Sequence, residues 1–186
     1  MIRKRSFLLA AVLLAAVAGV LVYNSIPKGE PALSAPYAKT LRSGCYYMEC
    51  GAWLLNTPEP TRLELARDGS STFQRYRQAD GQTVASVTRD GVSRVFSDGE
   101  LLQETRDSTT WAPDYAGLKD TGGRGTVTLE GEQFTYEEYR LGEERLRFLF
   151  QGEELRGLHT GDRDYYTRIV TLSPDIPAEI QTMMAQ

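Results

Sequence analysis

One histidine, two cysteines and several adjacent acidic pairs are the residues of this 186-residue chain whose types suit catalysis or metal binding. His159 falls within residues 154–160, which read as a strand. An imidazole base needs a nucleophile beside it and a third group to orient it. No Ser or Cys signature supplies these, so His159 reads as a surface or partly buried strand residue and the chain as non-enzymatic. A hydrolase would require a pocket in which His159 converges with Ser, Asp or Glu. The scattered Cys45, Cys50 and His159 do not have the spacing of a zinc site. Glu137-Glu138, Glu143-Glu144 and Glu153-Glu154 are neighbours, and neighbours on a strand point to opposite faces, so they are not the paired acids of a glycosidase. Gly122-Gly123-Arg124-Gly125 lacks the Lys-Ser/Thr of a phosphate loop, and the Asp and Gly spacing fails the EF-hand pattern. No catalytic residue, metal or cofactor is expected.

Cys45 and Cys50 open a run, residues 45–55, rich in aromatic and apolar side chains. Alternation puts Tyr46, Met48, Cys50, Ala52 and Leu54 on one face. On such a strand the two cysteines lie about 16–17 Å apart on opposite faces, whereas a disulfide needs Cα atoms within about 7 Å. Either the chain bends between Tyr46 and Glu49 or the thiols stay free. The strand reading takes the second course.

Apolar residues make up 41% of the chain and charged residues 25%, enough for a core and no case for wholesale disorder. The formal charge is -4. Arg3, Lys4 and Arg5 lie in the leading segment, so beyond residue 26 the balance is 18 basic residues (21 less 3) against 25 acidic, or -7. A nucleic-acid partner needs a basic face, and none is offered. Anionic lipid headgroups gain little from this surface either.

The basic triplet precedes residues 7–23, which run from Phe7 to Tyr23 without a charge and divide residues 1–26 from the rest as a signal-anchor or signal peptide. The run is just long enough to span a bilayer, and small residues at Ala16-Val17-Ala18 offer an alternative as a cleavage site. With the basic flank in the cytoplasm, everything after Tyr23 is expected outside a cell membrane crossed once, or secreted if the leader is removed. Residues 27–43 carry Pro27, Gly29, Pro31 and Pro36 and read as an extended tether.

Residues 44–186 read as the extracytoplasmic β domain. Asp68-Gly69, Asp80-Gly81, Asp90-Gly91 and Asp98-Gly99 are tight-turn signals between short runs of strand-forming residues. Arg75, Arg77, Arg89 and Arg94 make at least one face of this half wet. Residues 108–123 hold Trp111, Tyr115 and Leu118 among Pro113, Gly117, Gly122 and Gly123, and read as a loop or helical turn folded over an edge or opening. Later strands are more apolar, with Leu146, Phe148 and Phe150 on one face and Arg145 and Arg147 on the other. Pro177 then introduces a short helix over residues 178–184. Ten or eleven strands with short connections predict a mainly all-β fold. It is a curved up-and-down antiparallel sheet, or half-barrel, with a short C-terminal helix and an N-terminal hydrophobic helix.

The order of segments resembles a known family. Tyr46-Tyr47-Met48-Glu49, Arg89-Asp90-Gly91 and Phe96-Ser97-Asp98-Gly99 are followed by Phe134-Thr135-Tyr136-Glu137-Glu138-Tyr139. Arg145-Leu146-Arg147-Phe148-Leu149-Phe150 and Leu172-Ser173-Pro174-Asp175-Ile176-Pro177 complete the series. It is similar to envelope proteins related to the outer-membrane lipoprotein carriers (LolA-like) and lipid-binding lipoproteins. The resemblance implies a curved sheet wrapped around an apolar cavity in an extracytoplasmic compartment. A lipobox Cys is missing, which leaves the hydrophobic leader as anchor, and no long helix is available to cross a barrel mouth.

The expected function is that of a membrane-tethered, non-enzymatic domain binding a lipid or other amphipathic molecule on its concave face. Met48, Trp53, Tyr136, Leu146, Phe148 and Phe150 are the expected cavity lining. The alternative is a structural or protein-interaction module of the envelope whose core is closed, with a protein partner and no ligand.

Overall fold

The computed structural model describes residues 32–52, 61–78, 80–107, 109–161 and 165–186. The leader and its hydrophobic helix, together with Trp53 and Leu54, lie outside the described residues.

Among the described residues the short runs between turn signals form eleven strands. The first six are β1 (Cys45–Ala52), β2 (Thr61–Asp68), β3 (Ser71–Arg77), β4 (Thr83–Arg89), β5 (Val92–Ser97) and β6 (Glu100–Arg106). The remaining five are β7 (Lys119–Leu129), β8 (Glu132–Leu141), β9 (Glu144–Gln151), β10 (Glu154–Thr160) and β11 (Thr167–Ser173). They make one open antiparallel sheet in the order β6-β5-β4-β3-β2-β1-β11-β10-β9-β8-β7. Two up-and-down meanders are thus joined where the first strand meets the last. Asp90-Gly91 and Asp98-Gly99 have positive φ at both residues (51° and 72°, 47° and 88°), the backbone twist that two-residue hairpins require.

Alternation gives the sheet two differently dressed faces. The front carries Tyr46, Met48 and Cys50 from β1 with Leu146, Phe148 and Phe150 from β9, in one core cluster. The back carries Tyr47, Ala66, Phe73, Ala85, Val87 and Phe96, packed beneath Ile176, Ile180 and Met184. Ile180 and Met184 belong to the helix Ala178–Met184, which occupies the expected residues. A smaller back-face cluster joins Leu129, Phe134, Leu149 and Tyr166.

Two segments differ from the sequence reading. The expected tether over residues 27–43 is helical from Ala35–Arg42, here α1, and Ala178–Met184 is therefore α2. Pro36 is tolerated in the first turn, where its missing N–H has no helical partner, and Lys39 and Arg42 suit the last turn. Ala38 and Leu41 bury fully in the front-face core, so packing overrides the turn-like composition. The second difference is β7, which begins at Lys119, inside the stretch read as a loop. Its register with β8 shifts between Asp120 and Gly123. Gly122 takes φ 72° there, and Thr121 Oγ1 donates to the Glu138 carbonyl, so a bulge carries the pairing through.

Candidate functional site

Consecutive strands β6 and β7 occupy opposite edges of the sheet. The segment between them, residues 107–118, is anchored on the front face by one continuous cross-strand row. Registers place Ser93 opposite Thr88, Thr88 opposite Thr72, Thr72 opposite Arg67 and Arg67 opposite Tyr46, across five strands. Four of these residues sit beside the Asp-Gly turns, which hold them at one height along their strands.

Ser93, Thr72, Arg67 and Tyr46 each bond the crossing segment, and Thr88 supports Ser93. Ser93 Oγ donates to Asp107 at 2.7 Å and shares a 2.7 Å bond with the Thr88 hydroxyl. The Trp111 backbone N–H donates to Thr72 Oγ1 at 3.2 Å. Arg67 donates through Nη1 to the Ala112 carbonyl at 3.0 Å and through Nη2 to Asp114 at 3.1 Å. Tyr46 O–H donates to the Pro113 carbonyl at 2.7 Å, and its ring lies 5.8 Å from that of Tyr115. Ala112 and Leu118 then enter the apolar core. Hydroxyl and guanidinium groups therefore hold the first half of the strap, and burial holds the second.

The local charges follow from these contacts. The Thr109 backbone N–H and the Ser93 hydroxyl hold the Asp107 carboxyl below its ordinary value. Burial raises the Tyr46 phenol, which stays a neutral donor to Pro113 in the physiological range, and pushes Tyr115 up to about 12.

The other end of the front face is closed by α1. Glu137 accepts from Leu33 N–H at 3.3 Å and Ser34 N–H at 2.9 Å, and from the Ser34 hydroxyl. Ser34 Oγ also shares a 2.9 Å bond with Tyr139. Glu138 points the opposite way and pairs with Arg147 at 3.1 Å on the back, so the adjacent acids separate as strand geometry requires.

Of the expected cavity lining, Met48, Leu146, Phe148 and Phe150 come together, 2%, 5%, 0% and 1% exposed, beneath α1 and the strap. Tyr136 does not join them. It lies opposite Leu149 in register and therefore on the back, with the Arg147 guanidinium 4.7 Å from its ring centroid. Trp53 is outside the described residues. His159 is buried on β10, opposite Arg147 in register. Cys45 and Cys50 are free thiols on a continuous strand; burial, helped by Glu49, pushes the Cys50 thiol up to about 12. Among the described residues no group of His, Cys, Asp or Glu is arranged to hold a metal, and no helix is long and apolar enough to cross a membrane.

The sequence showed the strap's aromatics but not its polar anchors. Arg67, Thr72, Thr88 and Ser93 look like ordinary wet strand residues, and only the cross-strand register aligns them. Their position within one to three residues of an Asp-Gly dipeptide was the available signal.

Together these features define an open eleven-stranded antiparallel sheet with a strap across one face. No protein-family model and no curated protein matches the chain. Among solved structures, the crystal structure of MucB in complex with MucA(peri) is similar, at 10% identity and a TM-score of 0.26. The match covers 80% of this chain and 60% of that one, so this chain spans less than two thirds of the neighbour's length. At that score the likeness carries no functional argument, which rests on the geometry above.

Proposed function

We propose that the chain is a non-enzymatic, membrane-tethered domain of the cell envelope that works by protein contact. The supporting observation is the sealing of Met48, Leu146, Phe148 and Phe150 beneath α1 and the strap. Side chains expected to line a lipid cavity instead contact other parts of the same chain. The hydrophobic leader, Phe7 to Tyr23, is the membrane tether in this reading.

Of the sheet's two edges, β6 and β7, the outer edge of β6 is the one that carries exposed large apolar side chains among the described residues, and it is the surface offered to a partner. Among the described residues β6 pairs only with β5, and Leu101 and Leu102 on it are 53% and 66% exposed. An edge strand offers a row of backbone donors and acceptors to an added strand, and two exposed leucines add apolar contact.

A photo-crosslinking residue at Leu102 of the full chain in its native membrane tests this, with the exposed β9–β10 turn residue Glu153 as control. A discrete protein adduct from Leu102 and none from Glu153 supports the reading. Equal labelling at both sites overturns it. Native mass spectrometry of the detergent-extracted chain covers the competing idea: stoichiometric lipid carried by the protein would replace protein contact with lipid binding.

A further inference from the structure

The back face holds a cavity of about 330 Å³ where the C-terminal turn of α2 lies over the sheet. Asp68, Ser71, Arg89, Ile176, Gln181, Met184 and Ala185 line it. Asp68 lies opposite Ser71, and the neighbouring Thr72–Thr88 pair sets Ser71 beside Arg89. These three residues therefore form a row across three strands, with the acid and the base about two inter-strand spacings, roughly 9.5 Å, apart at the backbone.

The two charges are not spent on each other. Among the described residues Asp68 makes no ion pair. Arg89 Nη1 donates to the Ala185 carbonyl at 2.7 Å and Nε faces the adjoining Asp90 at 3.4 Å. These contacts orient the guanidinium and leave further N–H donors on it. Gln181 is fixed by donation from Nε2 to the Ile176 carbonyl at 2.8 Å, which leaves its amide oxygen as an acceptor. Ile176 and Met184 are buried and supply an apolar floor.

A carboxylate and a guanidinium lining one cavity from strands two spacings apart match a molecule that carries an ammonium and a carboxylate a few ångströms apart. An apolar substituent between them would meet the floor. A volume of about 330 Å³ is at the small end of ligand sites, too small for a folded partner or a diacyl lipid. We propose that this cavity binds a free α-amino acid with an apolar side chain, its ammonium on Asp68, its carboxylate on Arg89 and its side chain on Ile176 and Met184. The site is on the opposite face from the strap and does not depend on how β6 is used.

Isothermal titration calorimetry of the full chain in detergent, with L-leucine, N-acetyl-L-leucine and L-leucine methyl ester, is the test. L-leucine should bind saturably, and each blocked analogue should bind about tenfold more weakly or worse, the loss expected for one charge-assisted contact. Asp68→Asn should remove most of the preference for leucine over its N-acetyl form. Arg89→Gln should do the same for leucine over its ester. Three ligands of equal affinity, no saturable heat with L-leucine, or variants that keep both preferences would each reduce the cavity to a packing gap at a helix end. Because the analogues change only the ligand, the test stands even if Arg89→Gln loosens α2.

Discussion

Arg67 Nη1 donates to the Ala112 carbonyl at 3.0 Å, joining a strand near the sheet's middle to the backbone of the segment that links its two edges. Ala112 is fully buried, so without Arg67 its carbonyl would have no water to turn to. The ion pair with Asp114 contributes less, because the Asp114 side chain is 59% exposed. Arg67→Ala should lower stability by about 2–3 kcal/mol, and Asp114→Asn by less than about 1 kcal/mol. Urea midpoints of the full chain in detergent provide the comparison. Equal losses from the two variants would mean that the ion pair, not the carbonyl, holds the strap.

Glu64 organises the back face as Arg67 does the front. It accepts from Tyr47 O–H at 2.8 Å and from Arg75 Nε at 2.6 Å, while Arg75 Nη2 reaches Glu179 on α2 at 2.7 Å. Burial works against the Glu64 charge, but the Arg75 and Tyr47 hydrogen bonds outweigh it and hold the carboxyl below its ordinary 4.5. The unfolded chain therefore takes up the proton first. This contribution is complete above the unfolded value and disappears as pH falls through the lower folded one. Glu64→Gln should lose about 1–2 kcal/mol at neutral pH and show a flatter loss of stability below about pH 5. Thermal melts across pH 3 to 7 would reveal parallel acid limbs if the group is unimportant.

Much of this architecture was legible because its signals are local. Asp90-Gly91 and Asp98-Gly99 announce their turns in two residues, and alternation in Leu146, Phe148 and Phe150 shows which side chains share a face. The β1–β11 pairing, Met48 opposite Leu172, joins residues far apart in sequence and leaves no local trace. The face on which Tyr136 lies is hidden for the same reason. Faces can be counted along one strand, but relating two strands requires the register, here Tyr136 opposite Leu149. The helix Ala35–Arg42 was hidden because Leu41 and Ala38 are too few to make a periodic pattern, and their burial supplies what propensity does not.

Gly157 on β10 has a neighbour that leaves no room for a side chain. A Cβ there would come within 2.4 Å of Tyr166 Cδ2 and 2.8 Å of the Thr167 carbonyl oxygen. The tyrosine ring can move, whereas the carbonyl belongs to the adjoining strand. Gly157→Ala should lower stability by about 2 kcal/mol, and Tyr166→Ala in the same chain should relieve only part of the clash. Melting temperatures of the single and double variants test this. Full rescue by Tyr166→Ala would show that the backbone contact is harmless.

Cys45 and Cys50 face opposite sides of β1, and the two thiols should differ in reactivity. Cys50 is 1% exposed, with its thiol pushed to about 12, so almost none is thiolate at neutral pH. Cys45 is half-buried, and burial together with Asp68 and Asp175 raises its thiol as well. Under native conditions iodoacetamide should modify Cys45 slowly and Cys50 only after unfolding, with no Cys45–Cys50 bridge in non-reducing peptide maps. A bridged peptide would require β1 to bend where it now pairs continuously with β2.

Phe148 distinguishes a filled core from a cavity that holds a ligand. Its ring is fully buried, 5.0 Å from Tyr139 in an edge-on contact, and it shares a cluster with Leu41 of α1. A side chain packed on all sides by its own chain leaves a void when truncated, and the surroundings collapse only in part. Phe148→Ala should therefore lower stability by about 3–5 kcal/mol and Leu41→Ala by about 2–4 kcal/mol. Their combined effect should depart from the sum, because the two sites share one cluster. A residue lining an open ligand trough would behave differently: its truncation would enlarge a space already present, with a small loss of stability and a change in bound lipid instead. Urea unfolding of the four chains, with lipid content measured in parallel, separates the two outcomes. A loss below about 1 kcal/mol for Phe148→Ala, well under the usual range for a core aromatic, would reopen the front face as a binding surface.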